Sequence, residues 1–272
     1  MFTTIIHPTQ LQSLTNVLVL DVRHDLMNLD AGHTAYLASH IKGAHFLHLD
    51  RDLSGIKTGQ NGRHPLPDLA TLAQKLRDLG MNDDTQVVVY DAANSMMAAR
   101  AWWLLRHIGH ANVAVLDGGF AAWHGAVESG EVITPAQGNL TIRPSLNTQV
   151  TADDLMAHID DDFYRIIDAR APERFSGAVE PMDAVAGHIP HAINQFFMHN
   201  LNDDLTFKTA LELQQLWQPI LTHANIVNQC GSGVTACHNI LAQHIAGFDT
   251  AALYVGSWSE WCSDPKRPVA ID

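Results

Sequence analysis

Four landmarks occur twice in this chain, in the same order. The apolar run Val17-Leu18-Val19-Leu20-Asp21, followed by Val22-Arg23, reappears as Arg165-Ile166-Ile167-Asp168, followed by Ala169-Arg170. His40-Ile41-Lys42-Gly43-Ala44 reappears as His188-Ile189-Pro190-His191-Ala192. The strand-like Val87-Val88-Val89-Tyr90-Asp91 matches Ile226-Val227-Asn228-Gln229-Cys230, and Leu116-Asp117-Gly118-Gly119-Phe120-Ala121-Ala122-Trp123 matches Tyr254-Val255-Gly256-Ser257-Trp258-Ser259-Glu260-Trp261. The displacement stays between 138 and 148 residues throughout, which marks a tandem duplication. Any fold for this chain must therefore be one that half of it can form, twice.

In each copy short apolar strands alternate with helical patterns, such as Ala98 to Ile108. That alternation predicts an α/β fold in which each copy is a parallel sheet flanked by helices on both faces. The stretch from Gly125 to Thr151 mixes Gly, Pro, Ser and Thr without helical period, so the linker is expected there, with the boundary near Leu140. The expected domains are residues 1–140 and 141–272.

The copies differ where chemistry is expected, in the loop that follows a strand's carboxyl end. In the second copy that loop is Cys230-Gly231-Ser232-Gly233-Val234-Thr235. A helix follows it, read from the apolar spacing of Val234, Cys237, Leu241 and Ile245 and from Gly247 as its stop. A cysteine taken alone is usually a small buried hydrophobe. Flanking glycines and a serine do not pack a core, however. They let backbone N–H groups curl inward, and the helix adds partial positive charge at its N-terminus. Both effects favour the thiolate, the nucleophilic form. In the first copy the same position holds Asp91, in the glycine-free loop Asp91-Ala92-Ala93-Asn94-Ser95-Met96-Met97. A carboxylate cannot carry sulfur, so the first copy is expected to be non-catalytic.

Composition narrows the classes. The chain has 272 residues, 46% hydrophobic and 17% charged, with a formal net charge of −13. With no Lys/Arg cluster to neutralise phosphates, a nucleic-acid partner is not expected. The 17 histidines are scattered, and no H-E-x-x-H or C-x-x-C spacing points to a metal, so neither metal nor cofactor is expected. Three cysteines do not make a disulfide framework and fit a reducing compartment. No stretch approaches a membrane span and the N-terminus has no charged and then apolar leader, so the expectation is a cytoplasmic protein without a membrane partner.

The D-x-R turns, the H-I-x-x-A segments, the strand ending in Cys-Gly-Ser-Gly-Val-Thr-Ala and the closing G-x-W-x-E-W, all in tandem copy, resemble the two-domain rhodanese sulfurtransferases over nearly the whole chain. The loop itself is similar to that of the 3-mercaptopyruvate sulfurtransferases; thiosulfate enzymes carry basic residues after the cysteine. The resemblance implies that Cys230 attacks the sulfur of 3-mercaptopyruvate, releases pyruvate and carries a persulfide cradled by Gly231, Gly233, Val234 and Thr235. Cyanide, a small thiol or a thioredoxin-like protein then takes the sulfur. The family pairs the loop serine, here Ser232, with a histidine and an aspartate of the first domain, and the matching positions are His64 and Asp50; the three are expected to form a relay.

The family also implies two arginines for the donor's carboxylate. Arg174, in Glu173-Arg174-Phe175, matches the first. The second closes a Glu-Pro-Arg segment that here reads Glu180-Pro181-Met182, leaving that cation missing. Arg170 reads as structural because Arg23 repeats it in the other copy, and Cys237 reads as core. Cys262 is left undecided between a packed and an exposed oxidisable thiol. Three rivals stand beside this reading. A thiosulfate sulfurtransferase is disfavoured by the absence of Arg or Lys between Cys230 and Thr235. A cysteine phosphatase is disfavoured by Ala236, where an arginine would close the loop. The third is a non-catalytic sulfur carrier or interaction module.

Overall fold

The computed structural model describes residues 1–133, 136–249 and 251–272; Thr134 and Pro135, inside the expected linker, lie outside them. The chain divides into two compact units. The first comprises Met1–Gly55, Leu66–Asn147 and Asp203–Phe207, the second Ile56–Pro65, Thr148–Asn202 and Lys208–Asp272. The short segment Ile56–Pro65, early in the chain, therefore belongs with the second repeat.

Each unit holds one five-stranded parallel sheet flanked by helices. In the first, β1 (Ile5–Ile6), β2 (Val17–Asp21), β3 (His45–Phe46), β4 (Gln86–Tyr90) and β5 (Val113–Leu116) lie in the order β1-β5-β4-β2-β3. In the second, β6 (Thr148–Val150), β7 (Arg165–Asp168), β8 (Ile193–Asn194), β9 (Ile226–Gln229) and β10 (Ala252–Tyr254) lie in the order β8-β7-β9-β10-β6. Read from the opposite edge, the second order is the first with every strand advanced by one repeat. The duplication seen in sequence is thus a duplication of topology.

The central strands form because they can be buried on both faces, as parallel strands are. Val87, Val88 and Val89 of β4 are fully buried. Its counterpart β9 carries two polar residues, Asn228 and Gln229, equally buried. Asn228 is satisfied by exchanging amide bonds with Gln243, at 3.3 and 3.2 Å. Gln243 lies on α2 (Thr235–Ile245), the helix after β9; α1 (Met96–His107) occupies the same place after β4. Both helices begin within a few residues of the positions that apolar spacing predicts, and Gly247 follows α2 at φ 88°.

Adjacent strand ends are braced by the repeated D-x-R turn. The Arg23 guanidinium forks onto Asp21, with Nη2 at 2.6 Å, and Arg170 does the same with Asp168 at 2.7 Å. Each guanidinium also lies against an aromatic ring, Arg23 over Phe120 at 4.4 Å and Arg170 over Trp258 at 4.9 Å.

Leu140, where loop composition suggests a boundary, is 2% exposed. Its N–H bonds to Met81 O at 3.1 Å and that of Leu146 to Arg106 O at 3.1 Å, so the segment is pinned to the first unit, which runs on to Asn147. Gly and Pro mark irregular backbone there, and that backbone lies against the first unit.

At the end of β4, the Asp91 carboxylate folds the loop around itself. Oδ1 accepts from the N–H groups of Ala93 and Ser95, both at 3.1 Å, and Oδ2 from Met97 at 2.9 Å and Ala98 at 3.2 Å. Burial pushes this carboxyl up, against the lowering effect of those four bonds. Asp91→Ala, which leaves four N–H groups without an acceptor, is expected to cost about 3 kcal/mol or more in urea unfolding. A loss under about 1 kcal/mol would mean the loop keeps its shape without the anion.

Candidate active site

The counterpart of Asp91 is Cys230, directly after β9, whose last residue Gln229 pairs with Asp168 of β7. Cys230 is 2% exposed, and the loop N–H recorded on its sulfur is that of Gly233, 3.2 Å from Sγ. Gly233 has φ 75°, and a Cβ there would run into Val255 O, so no other residue fits. Val234 caps α2 and Thr235 opens it, which puts the helix N-terminus immediately behind the loop.

The loop is held from outside by α3 (Ser257–Trp261). Trp258 N–H donates to Cys230 O at 2.9 Å and Ser259 N–H to Gly231 O at 3.0 Å. The first unit makes the same two bonds, Phe120 N–H to Asp91 O at 2.8 Å and Ala121 N–H to Ala92 O at 2.9 Å. One member of the set departs. Gly119, at φ 59°, is matched by Ser257, at φ 53°, a left-handed conformation costly for a residue with a Cβ. Its hydroxyl explains the exception: it accepts from the buried N–H of Cys230 at 3.1 Å and donates to Tyr254 O at 2.9 Å. Sequence reasoning missed Ser257, although the repeat held the signal, a serine aligned with an obligatory glycine.

Of the four expected catalytic residues, the structure brings three together in the second unit. Ser232 Oγ lies 2.8 Å from Nδ1 of His64, and both side chains are buried. His64 reaches the loop because its segment is docked on α3: Gly62, at φ 80°, lies so close to Gly256 that a Cβ would come within 2.7 Å of Gly256 O, and Arg63 N–H donates to Ser259 Oγ at 3.0 Å. Asp50 belongs to the first unit, where its Oδ2 is 3.5 Å from His24 Nε2. His24, His48 and Asp50 are grouped closely enough to suggest metal ligands. Both ring nitrogens of His48 are already engaged, Nε2 with Leu29 O at 3.0 Å and Nδ1 with the N–H of Asp50 at 3.0 Å, so the group lacks a free lone pair on that residue.

Two guanidiniums stand against Gly231. A Cβ built there would lie 2.8 Å from Nη2 of Arg63 and 3.3 Å from Nη1 of Arg174. Arg174 is the arginine expected beside the substrate; Arg63 went unnoticed, hidden next to the histidine that drew attention. Arg174 is forked onto Glu180, with Nη2 2.8 Å from Oε1, and reaches Asp183 Oδ2 at 3.2 Å, while Arg63 Nη1 binds Asp183 Oδ1. Burial works to raise the Glu180 carboxyl, but bonds from Arg174 and from the N–H groups of Met182 and Asp183 overcome it and hold the group below its ordinary value. Met182 itself is 39% exposed. Cys237 is fully buried on α2 with Sγ 3.3 Å from Gly233 O, and Cys262 is half-buried, burial keeping it a thiol.

The sequence pattern of the rhodanese-like domain matches residues 8–126 and again 151–264. The chain belongs to the rhodanese sulfurtransferase family. A Pseudomonas aeruginosa protein named a probable 3-mercaptopyruvate sulfurtransferase is 45% identical over 265 residues, covering 94% of this chain and 92% of that protein. A Mycobacterium tuberculosis relative, provisionally named a thiosulfate sulfurtransferase, is also 45% identical, over 267 residues, 93% of this chain and 90% of its own. The solved structure of a 3-mercaptopyruvate sulfurtransferase from Escherichia coli superposes with a TM-score of 0.81 at 30% identity, covering 94% of this chain and 99% of that one. This tandem rhodanese is accordingly an enzyme of the sulfurtransferase class, working on a small-molecule sulfur donor and passing sulfur to an acceptor. No helix among the described residues is long and apolar enough to cross a membrane.

The brace at Ser257 can be separated into strain and hydrogen bond. Ser257→Ala keeps the strained φ and loses the bond to Cys230, at a cost of about 1–3 kcal/mol. Ser257→Gly loses the same bond but relieves the strain and is expected to be about 1 kcal/mol more stable than the alanine variant, both read from thermal unfolding. Equal stabilities would remove the strain from the account.

Proposed function

We propose that this enzyme moves sulfur from 3-mercaptopyruvate to a thiol or cyanide through a persulfide on Cys230, in the second copy alone, the first copy being non-catalytic. The observation that carries the donor assignment is where the cations stand. The loop from Cys230 to Thr235 contains no Lys or Arg, while the guanidiniums of Arg174 and Arg63 lie to one side, against Gly231. That separation suits a donor whose charge sits on a carboxylate a few bonds from its sulfur, rather than the compact dianion thiosulfate.

In the first half-reaction the Cys230 thiolate attacks the donor sulfur and the carbon–sulfur bond breaks. Its electron pair leaves as the enolate of pyruvate. The enolate carbon takes up the proton that the donor thiol gives up, and the hydrogen-bonded Ser232 and His64 are positioned to pass it. Cys230 retains the sulfur as a persulfide, with the Gly233 N–H and the α2 N-terminus supplying the positive field for its charge. In the second half-reaction cyanide, a small thiol or a reduced thioredoxin-like protein attacks the outer sulfur and Cys230 returns to the thiolate. Asp50 is assigned with Ser232 and His64 on the family resemblance. The cysteines at 230, 237 and 262 are all unbridged, which supports work in a reducing, cytoplasmic compartment.

Mass spectrometry after incubation with 3-mercaptopyruvate is expected to find one added sulfur on Cys230 and none in Cys230→Ser. Ser232→Ala should lower kcat by about 100-fold while Cys230 still loads, slowly. A wild-type kcat/KM higher for thiosulfate than for 3-mercaptopyruvate would overturn the donor assignment, and the absence of any adduct would favour a binding module.

A further inference from the structure

The site contains a carboxylate already seated between its two arginines. Asp183 Oδ1 binds Arg63 Nη1 and Asp183 Oδ2 binds Arg174 Nη2 at 3.2 Å, so one carboxyl group bridges two guanidiniums that both lie against Gly231. Resting on the 3-mercaptopyruvate reading above, we propose that Arg63 is the second arm of the donor-carboxylate subsite, and that Asp183 is an internal placeholder which the donor's carboxylate displaces.

Three observations carry this. Arg63 has donor capacity to spare: its Nε–H is buried and has no acceptor among the described residues, although Nη1 is engaged. A carboxylate arriving at this fork gains a partner that Asp183 does not use. Next, the two acids are held differently. Glu180 is fixed by Arg174, by Arg170 Nη1 at 3.5 Å and by the N–H groups of Met182 and Asp183. Among the described residues the Asp183 carboxylate bonds to the two arginines, and it sits on a bend whose neighbours Met182 and Ala184 are exposed. It can therefore be released by a change of the Asp183 side-chain rotamer, which leaves the N–H bonds of Met182 and Asp183 to Glu180 in place. Finally, the charges balance before substrate arrives. Arg63 and Arg174 face Glu180 and Asp183, so an added carboxylate would otherwise enter a neutral cluster; displacement of Asp183 frees one positive charge for it.

This also accounts for Met182. Its side chain is exposed and its N–H is tied to Glu180 Oε1, so the cation missing there is supplied from Arg63, next to His64 in sequence. The missing arm is filled from a segment roughly 120 residues earlier.

The test compares 3-mercaptopyruvate with its neutral amide, 3-mercapto-2-oxopropanamide, as donors to cyanide. In the wild type the change from acid to amide should raise KM about tenfold or more; in Arg63→Ala the same change should cost under about threefold, because one of the two arms that read the charge has gone and Asp183 is left to neutralise the other. Arg63→Lys, which keeps the charge but not the fork, should fall between them. Asp183→Asn, a weaker competitor for the arginines, should lower KM for 3-mercaptopyruvate, and Met182→Arg should leave it within about twofold. A structural role for Arg63 predicts instead that both donors suffer equally in Arg63→Ala and Arg63→Lys, and that result would overturn the proposal. So would a raised KM in Asp183→Asn, which would make Asp183 a support for the arginines and not a placeholder. If the wild type itself transfers no sulfur from 3-mercaptopyruvate, the donor assignment fails, and that outcome is read before any variant is made.

Discussion

The site depends on two backbone bonds that grip a loop from behind. Trp258 and Ser259 donate their N–H groups to the carbonyls of Cys230 and Gly231, and the first unit grips Asp91 and Ala92 identically through Phe120 and Ala121. With those carbonyls turned outward and satisfied, the loop's N–H groups are left to serve whatever stands at its first position. In one copy that is a carboxylate which takes four of them; in the other it is a sulfur, met by Gly233. The same cradle thus accommodates a carboxyl group in one copy and a sulfur in the other. This is why a parallel sheet suits the chemistry: consecutive strands end at the same edge, so the segment after β10 arrives where the loop after β9 must be held.

From that edge a string of alternating charges runs toward the loop. Asp168 holds Arg170, Arg170 touches Glu180, Glu180 holds Arg174, and Asp183 joins Arg174 to Arg63. Most of these groups are buried, and such a string contributes little net stability because each charge has been taken out of water. Its value is positional. The Arg170 and Arg174 guanidiniums are planar and each held at two or more points, and Arg63 is tied to the end of the string through Asp183, so the last two are delivered against Gly231. Removing an interior member leaves neighbours buried without counter-charge, which is far more costly than the string is stabilising.

The legible features in the sequence were those written locally or twice. Apolar runs and helical spacing marked the strands and α2, and the repeat showed that Cys230 and Asp91 occupy equivalent positions. Ser232 with His64 was reached through the family resemblance, since nothing near His64 announces a partner 168 positions away. Long-range pairings leave no local trace, and Arg63 with Asp183 is one of them. In the stretch around Leu140, Gly and Pro report irregular backbone, and they are silent on whether that backbone packs, as Leu140 does, against Met81. Ser257 was legible in principle, but only once Gly119 was known to sit at positive φ.

The two loops also differ in what they spend on stability. The Asp91 loop closes on itself, satisfied by its own side chain and without glycine, at the cost of one left-handed residue, Ser95 at φ 60°. The Cys230 loop carries Gly231 and Gly233, leaves a guanidinium pair at its flank and leans on a serine in a strained conformation. Each of these choices weakens a folded state and each leaves room or polarity for a ligand. The first copy shows what the architecture becomes when the loop's anion is its own side chain. Its loop N–H groups at Ala93, Ser95, Met97 and Ala98 are already taken by Asp91, so the loop closes without a ligand.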